Sequence, residues 1–157
     1  TMGILSRCSD SRLEIIQKLK MKNPTSTIHT LDDGTDISDL NASEIELYKG
    51  TLKNRHLLKN ALSELDKKEP NHESIGQLLS DHHQVLRDVL QASTPKIEAM
   101  MDAASNAGAL GGKINGSGGG GCMFAYAPNN PEHVAEVIEK AGGKAYIIHQ
   151  DEGTRIN

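Results

Sequence analysis

The amino-acid sequence predicts an α+β fold: a ferredoxin-like antiparallel or mixed sheet with helices on one face, and additional helices N-terminal to it. Three observations predict it. Helix-period apolar stripes occupy residues 43–65, 72–90 and 94–108. Short β-like runs at Lys113–Asn115, Cys122–Ala127 and Tyr146–Ile148 follow, with a glycine run and one more helix between them. The second half therefore reads α–β–loop–β–α–β, which places helices against a small sheet.

The elements are justified in chain order. Leu13, Ile16 and Leu19 after Asp10 predict a short helix over 10–20 with Asp10 as N-cap. Residues 22–42 are turn-rich (Asn23-Pro24, Asp33-Gly34), with room for a short strand around Ile28. Ser43-Glu44-Ile45-Glu46 reads as a capping box, a hydroxyl at N-cap and Glu at N3. The helix it opens runs to about Leu65 with Leu58, Ala61, Leu62 and Leu65 as its apolar stripe. The next helix, from about His72 to Leu90, puts His82 on the buried stripe with Ile75, Leu78, Leu79, Leu86, Val89 and Leu90. Thr94-Pro95 starts a third, cap then Pro at N1, with Ile97, Met100, Met101 and Ala104 inward and Gly108 as its stop. Asn130-Pro131 opens the last helix, with Val134, Val137, Ile138 and Ala141 on one face and Gly142-Gly143 at its end.

Composition bounds the function. The chain has 157 residues and a net charge of −4, so nothing argues for a general nucleic-acid binder. No apolar run reaches the ~18 residues of a membrane span, and no signal peptide is visible. Aromatics are 3%, so the core must be aliphatic. Cys8 and Cys122 form no metal or redox spacing, and the expected compartment is a reducing cytoplasm. His82-His83 makes a poor metal pair, because adjacent helical side chains diverge. No metal site is expected on this chain.

Eight of the 15 glycines lie between Gly108 and Gly121. Each glycine inside an element costs roughly 0.5–1 kcal/mol against alanine, so a run of four invites a reason. Positive φ and close backbone approach are two such reasons, and successive N–H groups can form an anion-binding concavity whose usual guest is phosphate. The run ends in Gly121-Cys122 rather than Gly-Lys-Ser/Thr, so it is no P-loop. Gly116, Gly118 and Gly121 satisfy G-x-G-x-x-G, but a strand-like segment follows where a helix is required. A phosphate site at Gly116, Ser117, Gly118, Gly119, Gly120 and Gly121 and a ligand-free structural hairpin remain.

Ala107 to Cys122 (AGALGGKINGSGGGGC) resembles the third motif of the GHMP kinases, the galactokinase, homoserine kinase, mevalonate kinase and phosphomevalonate kinase superfamily. Arg55-His56, His82 to Asp88 and Ile97-Glu98 resemble its galactokinase branch. Where Gly119 stands, galactokinases place Phe, and the all-glycine run is closer to mevalonate, heptose or fucose kinases. The resemblance implies an ATP- and Mg²⁺-dependent transfer of the γ-phosphoryl group to a small-molecule hydroxyl, with a sugar as the expected acceptor. It implies that residues 43–157 are the C-terminal domain, that 1–42 are an edge segment, and that the N-terminal ATP-binding domain is a missing partner. The loop would then support phosphates held mainly by that domain, the isolated chain would be inactive, and self-association through the exposed interface would be expected. Arg87 and Asp88 read either as a structural pair or as a contact with substrate or the other domain. Lys113 reads either as a solvated strand-end lysine or as an aid to phosphate.

Overall fold

The computed structural model describes residues 2–27, 29–116, 118–149 and 153, with backbone alone for 2–8. Helix α1 spans Met2–Lys22. It starts eight residues before the expected Asp10 cap, because nothing in residues 2–9 breaks a helix and an interior Asp costs only a modest propensity penalty. Ile15 and Leu19 are its buried residues, while Leu13 is exposed. The strand expected around Ile28 centres on a residue outside those described.

Helix α2 spans Ala42–Leu65. Its capping box is one of the expected kind, two residues earlier: Asn41 Oδ1 accepts the Glu44 N–H at 3.0 Å, and Glu44 Oε2 accepts the Asn41 N–H at 2.9 Å. Asn41 outcompetes Ser43 for the cap, and Ser43 Oγ instead donates to Asn41 Oδ1. One face of the N-terminal half of α2, with Tyr48 and Leu52, packs on Ile15, Leu19, Leu31 and Leu40. Tyr48 donates its hydroxyl to Asp32 O at 2.6 Å, pinning the turn-rich stretch between α1 and α2. The expected stripe on the C-terminal half is not the packed one. Leu57 is buried, whereas Leu58, Leu62 and Leu65 are 60%, 58% and 58% exposed.

Helix α3 spans His72–Gln84, capped by Asn71, whose side chain accepts the Ser74 N–H. Glu64 Oε1 accepts the Asn71 N–H at 2.8 Å and so ties the end of α2 to the start of α3. The helix continues as a π-turn, Val85–Val89, closed by Leu90 N–H to Val85 O at 3.1 Å. Here too the buried line differs from the expected one: His83, not His82, is buried, at 6% exposure, in line with buried Gly76 seven residues before it.

Helix α4, Pro95–Asn106, has the expected Thr94 cap and Pro95 at its start, and Gly108 follows its end at φ +96°. Strands β1 (Gly111–Asn115) and β2 (Cys122–Tyr126) pair antiparallel, Gly111 opposite Tyr126 and Asn115 opposite Cys122. Strand β2 is half-buried rather than fully buried. Helix α5, Pro131–Lys140, buries Val134. Ile97, Met100 and Ile114 form a second core with Leu86, Met101, Met123, Ile138 and Ala141 around it. Residues 144–148 form no ladder, and Tyr146 and Ile148 are largely exposed. The outward N–H of Ile114 is donated to His83 Nδ1 at 3.4 Å, so the β1 edge is taken by α3 rather than by a third strand. Among the described residues the fold is α+β, five α-helices with a two-stranded sheet.

Candidate active-site loop

The β1–β2 connection is the glycine run. Gly116, Gly118, Gly119, Gly120 and Gly121 have φ of +78°, +74°, +74°, +106° and +97°. L-residues rarely adopt this region, so the glycines are required by the backbone path itself. Ser117 lies outside the described residues. The loop is anchored on one side: Gly119 donates its N–H to Ala92 O at 2.7 Å, and a β-carbon on Gly118 would lie 2.7 Å from both Ala92 Cβ and Ala92 O. On the other side, β-carbons on Gly116, Gly120 and Gly121 would meet nothing within 4 Å. The run is thus half docked and half open.

Ala92 sits in the short link between the π-turn and α4, where Gln91 also takes positive φ, +49°. That link is held by Glu98 in the first turn of α4. Glu98 Oε1 accepts from Ser93 Oγ and meets His83 Nε2 at 3.0 Å, and Glu98 Oε2 accepts from Arg87 Nη1 at 3.3 Å. The Ile114 N–H occupies His83 Nδ1, which leaves Nε2 as the protonated nitrogen donating to Glu98. Burial pushes the Glu98 carboxyl up, but hydrogen bonds from Ser93 and Arg87 and the nearby His83 outweigh it and leave it below the usual range.

Arg87 and Asp88, read either as a structural pair or as a contact with substrate or the other domain, reach the loop only indirectly. Arg87 Nε donates to Asp88 Oδ1 at 2.7 Å and Nη2 to Oδ2 at 3.2 Å. These bonds, with the one to Glu98, raise Arg87 further above its ordinary pKa, and Arg87 in turn lowers Asp88. Asp88 also lines a shallow groove of about 260 Å³ between α2 and the π-turn, with Glu46, Lys49, Gly50 and Lys53. Lys113 lies at the foot of the loop. Its Nζ donates to Ile114 O at 2.7 Å and sits 5.3 Å from the Phe124 ring, and burial lowers its pKa. Neighbouring His82 is lowered by burial first, then by the charges of Lys113 and His83.

Ala92, Ser93, His83 and Glu98 carry the loop, yet the sequence reading gave them no site role. One signal was available: His83 and Arg87 are four residues apart, on one helical side, and two such donors need an acidic acceptor.

No group of three His, Cys, Asp or Glu side chains that could hold a metal occurs among the described residues.

A family model, GHMP kinases C terminal, matches residues 58–147. The chain belongs to the GHMP kinase family. Its match is to that family's C-terminal domain, and the 116–121 loop lies within it. Mevalonate kinase from Thermococcus onnurineus is 48% identical over 96 residues, which are 60% of this chain and 28% of that protein. Mevalonate kinase from Pyrococcus furiosus is 47% identical over the same shares. Galactokinase from Clostridium perfringens is 31% identical over 138 residues, 78% of this chain and 35% of that protein. The chain thus spans about a third or less of the length of the curated kinases it matches. The solved structure of Lactococcus lactis galactokinase complexed with galactose aligns with a TM-score of 0.71 over 88% of this GHMP kinase chain and 38% of that one, at 19% identity, so the fold is shared. No helix among the described residues is long and apolar enough to cross a membrane.

Proposed function

We propose that this GHMP kinase chain is the C-terminal domain of a cytoplasmic ATP-dependent kinase for a small-molecule alcohol, with residues 43–157 forming the domain and 1–42 an edge segment against α2. The observation that carries the reading is the half-docked glycine loop. Gly119 spends its N–H on Ala92 O, and Gly116, Gly120 and Gly121 face open space. Phosphate contacts would therefore fall to Gly116, Gly120 and Gly121, while Gly118 and Gly119 fasten the loop. ATP supplies the transferred phosphoryl group and Mg²⁺ its charge neutralisation. This chain would contribute backbone N–H groups and the Lys113 charge at the edge of the phosphates. Arg87 and Asp88 would act at a distance, by fixing Glu98.

Mevalonate is the favoured acceptor, because the mevalonate kinases match at 48% and 47% identity against 31% for galactokinase. The all-glycine run agrees, since Gly119 replaces the Phe of galactokinases. A sugar acceptor is the second reading. The galactokinase match reaches over 78% of the chain rather than 60%, and the His82–Asp88 helix favours it.

The test is NMR titration of the chain with Mg·ATP, and then with mevalonate and galactose, alongside a phosphoryl-transfer assay. Amide shifts at Gly120 and Gly121 on adding Mg·ATP, without turnover, are expected. An unmoved loop would sink its phosphate role. Turnover by the chain alone would overturn its dependence on a second domain.

A further inference from the structure

The C-terminal half of α2 presents Leu58, Leu62 and Leu65 to solvent, each more than half exposed. Their spacing, i, i+4 and i+7, is that of one coiled-coil seam, two core positions of one type with one of the other between them. The N-terminal half of the helix has no such open seam. There Tyr48 and Leu52 lie against α1 and Leu31, and the Arg55 guanidinium donates to Leu31 O and His29 O. The seam therefore opens just where that cover ends and runs to the last turn.

Lys59 and Asp66 flank the seam on the same side, seven residues apart, and both are exposed. Among the described residues neither has an ion-pair partner. With Leu58 and Leu65 as d positions and Leu62 as a, both flanking charges are e positions. In an antiparallel helix pair, e faces e. Setting Leu62 against Leu65 of a second copy, and the reverse, brings Lys59 against Asp66 of that copy twice, once on each side of the two-fold axis. A parallel pair would set these charges against the g positions five residues earlier, Lys59 against Asn54 and Asp66 against Ala61, so neither would gain an ion-pair partner. The pattern is self-complementary only about a two-fold axis perpendicular to the helix.

We propose that this face of α2 docks a second copy of the same chain, as an antiparallel pair with Leu62–Leu65 layers between two Lys59–Asp66 pairs. Two leucine layers make a small interface, so the dimer is weak and concentration-dependent. The inference stands independently of the glycine loop.

Sedimentation of the 157-residue chain over a range of concentrations tests it. The wild-type chain is expected to show reversible monomer–dimer exchange. Leu62→Glu should leave a monomer at every concentration, with unchanged helical circular dichroism because Leu62 is exposed in the monomer. Lys59→Glu alone should weaken the dimer about tenfold or more by setting like charges opposite each other. Lys59→Glu with Asp66→Lys should restore it. A wild-type chain that stays monomeric overturns the proposal, as does a dimer indifferent to Leu62→Glu. A double charge swap that fails to restore association overturns the antiparallel arrangement and with it the stated pairing.

Discussion

The carbonyl oxygen of Gly76 on α3 lies 1.8 Å from where a β-carbon on Gly111 would stand, at the start of β1. A β-carbon on Gly76 would in turn lie 2.3 Å from Leu110 O. Helix and strand thus touch backbone to backbone, and neither partner can accept a methyl group without moving apart. Gly111→Ala and Gly76→Ala are each expected to destabilise the chain by about 1–3 kcal/mol or more, as overpacking does. Urea denaturation would show lower midpoints for both, and the pair should cost less than the sum of the singles, since one displacement relieves both clashes.

That contact holds α3 close enough for His83 to take the outward N–H of β1. Replacing His83 by Ala leaves the Ile114 N–H buried and unpaired, at a cost of about 1–3 kcal/mol. Amide exchange at Ile114 should accelerate more than at its strand neighbours. Unchanged protection there would mean that something other than His83 shields this edge.

Gly116 and Gly118 have nearly equal φ, +78° and +74°, in opposite surroundings. Asn tolerates this backbone region better than other L-residues. Gly116→Asn should therefore cost about 1 kcal/mol or less. Gly118→Asn should cost more and break the Gly119 N–H bond to Ala92, because its β-carbon runs into Ala92. Exchange at the Gly119 amide separates the two. Equal effects would indicate that conformational strain, not docking, governs the loop.

Acid should lower the stability of the chain in two pH ranges. His82 is held below its ordinary pKa of about 6.5, so the unfolded state binds the proton first. Its contribution is full above that value and is lost as pH falls from it through the folded pKa. Glu98 is also held below its ordinary value, of about 4.3, and its contribution disappears lower still, as pH falls through its own folded pKa. Urea midpoints followed from neutral to acid pH should fall first in the histidine range and then in the carboxylate range. His82→Gln should remove the first stage, and Glu98→Gln should diminish the second without abolishing it, because Asp88, Asp36, Glu44, Glu64 and Glu136 are also held below their ordinary values.

The elements themselves were legible in the sequence because local chemistry specifies them. Thr94-Pro95 and Gly108 bound α4 as they would in isolation, and the glycine run lies between two paired strands as its flanks require. Which face of a helix packs was less legible, because periodicity identifies apolar residues without ranking faces. On the C-terminal half of α2, Leu58, Leu62 and Leu65 make the more regular stripe, but Leu57 is the buried leucine there, on the same side as Gly50 and Glu64. On α3 the line of closest approach passes through Gly76, which has no side chain for a hydropathy pattern to register, and so His83 rather than His82 is carried inward. Glycine in mid-helix is the signal that the hydropathy stripe hides. The Glu98 hub was illegible for a different reason: its partners Arg87, His83 and Ser93 come from the end of α3, the π-turn and the link to α4, and only the chain's path brings them onto one carboxylate.

The π-turn at Val85–Val89 places one more residue in a turn than the helix before it. Everything after Leu90 is therefore advanced by one residue relative to a plain α-helical continuation, and that shift is what brings the link around to offer Ala92 O to Gly119. Deleting any one of the five residues would restore an ordinary helix and rotate the link by about 100°. A residue count between His83 and the glycine loop is thus itself under structural constraint, and length changes in this stretch would be felt at the loop before any side chain there was altered.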